Sequence, residues 1–287
     1  MTRFGPAGNS DSYDTKKGNL GIPDYLKRFR LNAYEYQCGR GVKISEENAR
    51  KFGKIAKESD IAISLHSPYY ISLSSAEEEK RLKSLDYILQ SARAVDYMGG
   101  TRVVVHSGSA SKMDRREALE LSKDTLKRAM SVLDENDLSH IVLCPEVMGK
   151  INQLGTLEEV MELCSVDERF LPCVDFGHLN ARTFGGLSSR EDFEKVFRTI
   201  ENSLGYERMK NLHVHFSKIE YTEKGGEKRH LTFEDTIYGP FFEPLAEIIV
   251  KKRCTPTIIC ESRGTQAEDA MAMRVMYEGV LDIVGDV

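Results

Sequence analysis

The chain has 287 residues, of which 40% are hydrophobic and 30% charged, with a formal net charge of −5. That length allows one large α/β domain with a sizeable core, and the composition excludes a disordered chain. The acidic balance argues against a general nucleic-acid-binding surface, although a local basic groove is compatible with it.

The first residues, MTRFGPAGNSDS, carry no apolar signal core, and no uninterrupted apolar run reaches membrane-spanning length. A cytoplasmic protein with no membrane partner is therefore expected. The six cysteines (Cys38, Cys144, Cys164, Cys173, Cys254, Cys260) are scattered without a CxxC pair. Cys144, Cys173 and Cys260 lie inside apolar strand-like runs and read as reduced core residues.

Strand-like and helix-like segments alternate along the whole chain. Thr2–Gly8 reads as a short strand, Pro23–Phe29 as a helix and Ala33–Gln37 as a second strand, followed by the loop CGRG. Ser45 caps the next helix, with Asn48 rather than Glu at the third position, so the capping box is incomplete. Ile61–Leu65 is the third strand. A long amphipathic helix spans roughly Ala76 to Met98, acidic at its start and closed by Gly99-Gly100. Thr101–Val105 is the fourth strand, followed by a helix from about Arg115 to Asn136. Ile141–Pro145 is the fifth, after which Thr156 and Glu159 form a capping box.

The sixth strand lies in LPCVDFGHLN, Leu171 to Asn180, with a helix from about Ser189 to Leu204. Asn211–Phe216 is the seventh strand, followed by a long loop containing Gly225-Gly226 and a helix near Phe242–Lys252. Thr257–Cys260 is the eighth, and a last helix covers about Ala267 to Ile283. Continuous apolar strands suit a parallel sheet covered by helices. Eight strand–helix units with no long linker predict one (β/α)8 TIM-barrel domain over residues 1–287. A doubly wound open sheet is the alternative, but no GxGxxG follows the first strand.

The strand ends carry the chemistry. His66, His106, Glu146, Asp175 with His178, His213/His215 and Glu261 each stand at or just after the end of an apolar strand. In a barrel these positions converge at the C-terminal face, where catalytic groups sit. A single strand-end histidine is ordinarily satisfied by a backbone carbonyl. So many costly polar groups in one mouth need a counter-charge. Imidazole and carboxylate ligands without thiolate suit zinc or manganese, with iron as a further choice. There are more ligands than one ion needs, and a bridging carboxylate such as Glu146 can hold two ions about 3.5–4 Å apart, the usual clamp for phosphoester cleavage. His140 precedes the fifth strand, at the opposite end of the barrel, and is left out.

The segments SLHSPYYISL, VVVHSGS, PEVMGKINQLG, CVDFGHLNA, HVHFSK, the RH of KRHLTFED and IICES resemble, in order and at close to the same spacings, the endonuclease IV family of apurinic/apyrimidinic-site nucleases. The family sits among the xylose-isomerase-like TIM barrels. The resemblance implies a trinuclear zinc centre: His66, His106 and Glu146 for the first ion, Glu146, Asp175, His213 and Glu261 for the second, and His178 with His230 for the third. His213 is preferred to His215 because Lys218 follows five residues later, as in the family pattern. Where the family has Asp-x-His at the third ion, this chain reads Lys228-Arg229-His230. A lysine cannot serve as that carboxylate, and Glu227 can replace it only if the loop shifts by one residue.

The implied reaction is hydrolysis of the phosphodiester 5′ to an abasic site in duplex DNA, by a metal-bound hydroxide, with Glu146 and Asp175 as the catalytic carboxylates. The resemblance implies a monomer whose partner is DNA bent at an extruded abasic nucleotide. Arg40, Tyr69 and Tyr70 are candidates for wedge and phosphate contacts, and Lys218 for a phosphate contact or an ion pair at the barrel mouth. Two other readings stay open: a metal-dependent sugar isomerase or epimerase on a related barrel, and a non-catalytic descendant that binds DNA or metal.

Overall fold

The structure is a computed structural model that describes residues 1–285. Eight parallel strands form the barrel: β1 (Arg3–Pro6), β2 (Ala33–Gln37), β3 (Ala62–His66), β4 (Arg102–His106), β5 (Val142–Glu146), β6 (Cys173–Asp175), β7 (His213–Phe216) and β10 (Thr257–Cys260). Their order is β1-β10-β7-β6-β5-β4-β3-β2. A parallel bridge from Ala7 to Glu35 brings β2 back to β1, so the TIM barrel expected from the strand count is what forms.

The helices are α1 (Ile22–Arg28), α2 (Glu46–Glu58), α3 (Glu78–Tyr97), α4 (Arg115–Asp134), α5 (Leu157–Cys164), α6 (Phe176–Arg182), α7 (Arg190–Leu204), α8 (Tyr206–Lys210), α9 (Glu243–Lys251) and α10 (Gln266–Gly285). Among the described residues no helix is long and apolar enough to cross a membrane. The predicted Ser45 cap and the Thr156–Glu159 capping box are both present.

Two residues along a strand face the same side, and here one side is the barrel lumen. Phe4, Tyr34, Leu65, Val105, Val174 and Val214 point outward into the large core beneath the helices. The inward positions form separate small clusters, Val104 with Cys144, Leu171 and Cys173, and Ala7 with Ala33 and Ile259. The helices cover the strands with apolar stripes of helical period; in α2, Ala49, Phe52, Gly53 and Ala56 are buried. All six cysteines are free and buried, as the strand settings of Cys144, Cys173 and Cys260 suggested for those three.

Two stretches depart from expectation. The residues after Asp175 are a helix rather than a loop, because the Asp175 side chain caps α6 by accepting the His178 N–H at 2.7 Å. The Asp-x-x-His spacing is thus an N-cap and its third helical position. The loop around Gly225-Gly226 is an antiparallel hairpin of β8 (Ile219–Thr222) and β9 (Gly226–His230), outside the barrel sheet.

Closure of the barrel leaves no room at Gly5. A Cβ there would lie 1.8 Å from the Ala33 carbonyl oxygen, a backbone atom that cannot swing aside. Gly5→Ala is expected to lose about 3 kcal/mol or more of stability, the upper range for overpacking, in urea unfolding. A variant as stable as the parent would show that β1 and β2 can separate freely.

Candidate metal centre

The parallel register brings the chemically active strand ends to the same rim of the barrel, stepped from strand to strand. His106 lies beside Glu146 across β4 and β5, and Asp175 beside His215 across β6 and β7. Glu146 is the shared member. Its Oε2 is 3.4 Å from Nε2 of both His66 and His106. Its Oε1 is 3.2 Å from His215 Nδ1 and 3.5 Å from His178 Nδ1. Four groups of potential ligand atoms result, the atoms within each lying within 4.8 Å of one another: His66, His106 and Glu146; Glu146, Asp175, His215 and Glu261; His178, His230 and Glu261; and, deeper in the lumen, Cys173, His213 and His215.

Backbone carbonyls orient two of the imidazoles. His66 Nδ1 donates to the Ser67 carbonyl at 2.9 Å, and His178 Nδ1 to the Val147 carbonyl at 3.0 Å. A carbonyl only accepts, so in both rings Nδ1 carries a proton and Nε2 is the nitrogen turned to the site, available to a metal once its own proton is displaced. His178 Nε2 faces Glu227 Oε2 at 3.5 Å. Asp175 is held by the His178 N–H at Oδ1, leaving Oδ2 inward.

The buried oxygens Glu146 Oε2 and Asp175 Oδ2 make no hydrogen bond: Glu146 Oε2 has only imidazole nitrogens at 3.4 Å, and Asp175 Oδ2 has His178 Nδ1 at 3.0 Å, a nitrogen already donating to the Val147 carbonyl. A buried carboxylate oxygen without a donor is costly, and a cation between these groups would satisfy both. With nitrogen and oxygen ligands converging on them, the residues fit a divalent metal of the zinc, manganese or iron type. Burial raises the Glu261 carboxyl to about 8, reinforced by the charges of Asp175 and Glu146. At His66 burial is outweighed by Glu146, and the ring is raised to about 9. Burial presses His106 down to about 4.

His213 is in none of the groups that contain a carboxylate, only in the one with Cys173 and His215. It lies two residues deeper than the level of Asp175, paired with Cys173, fully buried, with Nε2 against Glu35 at 2.8 Å. His215 takes the place expected for it, because the β6–β7 register levels Asp175 with His215. The spacing to Lys218 misled the choice. Lys218 itself is 6% exposed, its ammonium bonded to the Phe233 and Asp235 carbonyls and over the Phe241 ring. It makes neither a barrel-mouth ion pair nor an open phosphate contact.

The third group is re-phased by a β-bulge. Glu220 pairs with Arg229 but Tyr221 with Glu227, so Lys228 is an extra residue in β9. Lys228 and Arg229 both turn outward to the Glu220 carboxylate, at 2.5 Å each. Glu227 turns inward, toward His178 and, at 4.0 Å, His230 Nε2. The hairpin is fixed against the loop after β5: Glu227 N–H donates to the Gly149 carbonyl, and a Cβ on Gly149 would collide with the Glu227 side chain.

Above these groups opens a cavity of about 870 Å³, with Arg40, Lys43, Lys150 and Tyr69 among its lining residues. Tyr69, 60% exposed, stacks on the His106 ring at 5.3 Å. Tyr70 does not line the cavity and packs edge-on against Tyr87 of α3. His140 is remote, paired with Asp96. Sequence reasoning passed over Glu35, although an acidic residue in register with Ala33 and Gln37 on an apolar strand was a usable signal.

A family model for xylose isomerase-like TIM barrels matches residues 24–277. An uncharacterized protein of Methanocaldococcus jannaschii is 32% identical over 271 residues, 91% of this chain and 96% of that one. The probable endonuclease 4 of Mycoplasma pneumoniae is 26% identical over 240 residues, 81% and 75% of the two chains. The solved endonuclease IV from Thermus thermophilus superposes with a TM-score of 0.72 at 19% identity, covering 98% and 99%. An L-ribulose 3-epimerase reaches the same 0.72 at 14% identity, covering 99% and 97%. The two superpositions show the fold, and the set of matches bears out the resemblance read from the strand-end motifs.

At pH 7 the metal-free site holds protons on Glu261 and His66, whose pKa values stand near 8 and 9. A metal must displace them, so zinc affinity is expected to rise with pH up to about 8–9, with net proton release at pH 7. Calorimetry in buffers of different ionisation enthalpy reads that release. An apparent affinity flat from pH 6 to 8 would contradict it.

Proposed function

The chain belongs to the xylose isomerase-like TIM barrel family, and from that premise we propose that it is a metal-dependent DNA endonuclease that hydrolyses the phosphodiester 5′ to abasic sites. The observation that carries this reading is the set of three ligand groups joined by shared carboxylates, Glu146 between the first two and Glu261 between the last two. That is more liganding capacity than one ion uses, and clustered ions are the usual apparatus for phosphoester cleavage. The sequence similarity to proteins named probable endonuclease 4 points the same way.

In this reading His66, His106 and Glu146 hold one ion, Glu146, Asp175, His215 and Glu261 a second, and His178, His230 and Glu227 a third. Zinc is the first choice, with manganese or iron compatible with the same donors. Bound ions would neutralise charge developing on the phosphoryl oxygens and the leaving 3′-oxygen. Asp175 and Glu146 are the carboxylates nearest the reacting centre, and in this reading they orient the attacking water and take its proton. Arg40, Lys43 and Lys150 at the rim supply cations for DNA phosphates, which lets an acidic chain bind a polyanion at this one mouth. Tyr69 offers an exposed ring at the rim on which a base or deoxyribose can stack.

A sugar epimerase is the second reading. Glu146, Asp175, His215 and Glu261 alone suffice for a single ion, and the superposition on an L-ribulose 3-epimerase is as close as that on endonuclease IV.

Purified protein is expected to nick a duplex oligonucleotide carrying one abasic site on its 5′ side, leaving a 3′-hydroxyl. Glu146→Gln should lose more than about 100-fold, since even residues behind the ligands cost 10–100-fold. No nicking, together with about one bound metal per chain and turnover of a ketose, would transfer the assignment to the epimerase. About zero metal would favour a non-catalytic binder.

Glu227→Gln tests the bulge. Metal analysis should fall from about three to about two ions per chain with the fold intact. Unchanged stoichiometry would mean that His178 and His230 draw their carboxylate from Glu261 alone.

A further inference from the structure

Directly beneath the ligands lies a second polar layer that the proposed reaction does not use. Glu35, on β2, is fully buried in the lumen, in positions that elsewhere carry Ala33, Val104 and Ile259. Its two oxygens reach across the barrel to two imidazoles of β7: Oε2 is 2.8 Å from His213 Nε2 and Oε1 is 3.0 Å from His215 Nε2. Ser64 Oγ donates to Oε2 at 3.0 Å and Gln37 Nε2 to Oε1 at 3.2 Å. The carboxylate is therefore supplied with neighbours on both oxygens and is held in one orientation.

The His215 ring stands between two anionic layers. Nε2 faces Glu35, while Nδ1 faces Glu146 Oε1 at 3.2 Å and Glu261 Oε1 at 3.5 Å. Carboxylates accept and do not donate, and they face both nitrogens: Nδ1 is aligned on Glu146 Oε1, while Nε2 approaches Glu35 without an aligned hydrogen bond. A cation bound at Nδ1 leaves the ring proton on Nε2, beside Glu35. A ligating histidine whose second nitrogen rests on a carboxylate is a more basic and better-oriented ligand.

We propose that Glu35 is a positioning residue for the metal centre: it fixes the tautomer and ring plane of His215, with His213 as its second anchor. This rests on the metal-binding reading above. His213 then has a function although it is no ligand. It braces the carboxylate from the level below, which explains two histidines on one face of β7.

The test is cobalt(II) titration of the full-length apoprotein, read by its visible absorption bands, with Glu35→Gln, Glu35→Asp and His213→Gln beside the parent. Glu35→Gln keeps the shape and removes the charge. It should weaken cobalt binding 10–100-fold and shift the bands, while Glu35→Asp recovers part of the loss and His213→Gln costs less than Glu35→Gln. A Glu35→Gln protein with the parent's affinity and spectrum overturns the inference. A parent that binds no cobalt overturns the metal reading itself, so the two failures are distinguishable. Should Glu35→Gln not fold, nitrogen-15 NMR of the zinc-loaded parent decides: His215 should carry its proton on Nε2 with Nδ1 coordinated, and the reverse arrangement overturns the proposal.

Discussion

Everything at the mouth of this barrel is arranged around one buried carboxylate. Glu146 is 1% exposed and lies within 3.5 Å of imidazole nitrogens from His66, His106, His178 and His215. Those rings come from β3, β4, α6 and β7, elements that meet only because closure of the barrel gathers their C-terminal ends around one mouth. A carboxylate so far from water is tolerated only with positive charge close by. Histidine supplies that charge conditionally, as a protonated ring or as a ligand that brings a metal, and the choice couples the stability of the mouth to what is bound there.

Much of this was legible in the chain itself. Apolar runs of strand length, six of the eight carrying His, Glu or Asp at or just after their ends, define both the barrel and its functional face. His66, His106, Glu146, Asp175, His178 and Glu261 all stand where that pattern puts them. The errors arise where sequence fixes a face but not a depth. His213 and His215 share a side of β7, and only the pairing of β7 with β6 tells which one meets Asp175. Glu35 escaped for the same reason: its neighbours His213 and His215 lie far away in sequence and are brought to it by barrel closure.

The stretch after β7 was the least legible part. A single extra residue in β9 decides which of Glu227, Lys228 and Arg229 turns inward, and no periodicity announces a bulge. Its logic is local once seen. Glu220 collects both cations on the outer side of the ribbon, and the carboxylate left over is the one that turns toward His178.

The ribbon also differs mechanically from the strands it serves. Seven of the ligand-type groups ride on strand ends or on the helix capped by Asp175, and they are set once the wall of the barrel is complete. Glu227 and His230 arrive on a separate two-stranded element whose seat is the backbone of Gly149 and Ile151. One end of the centre is thus assembled between an added ribbon and the barrel rather than within the barrel wall alone. Occupancy at that junction would act as a clasp, fastening the ribbon to the loop after β5, and its strain would be felt first wherever Gly149 is crowded.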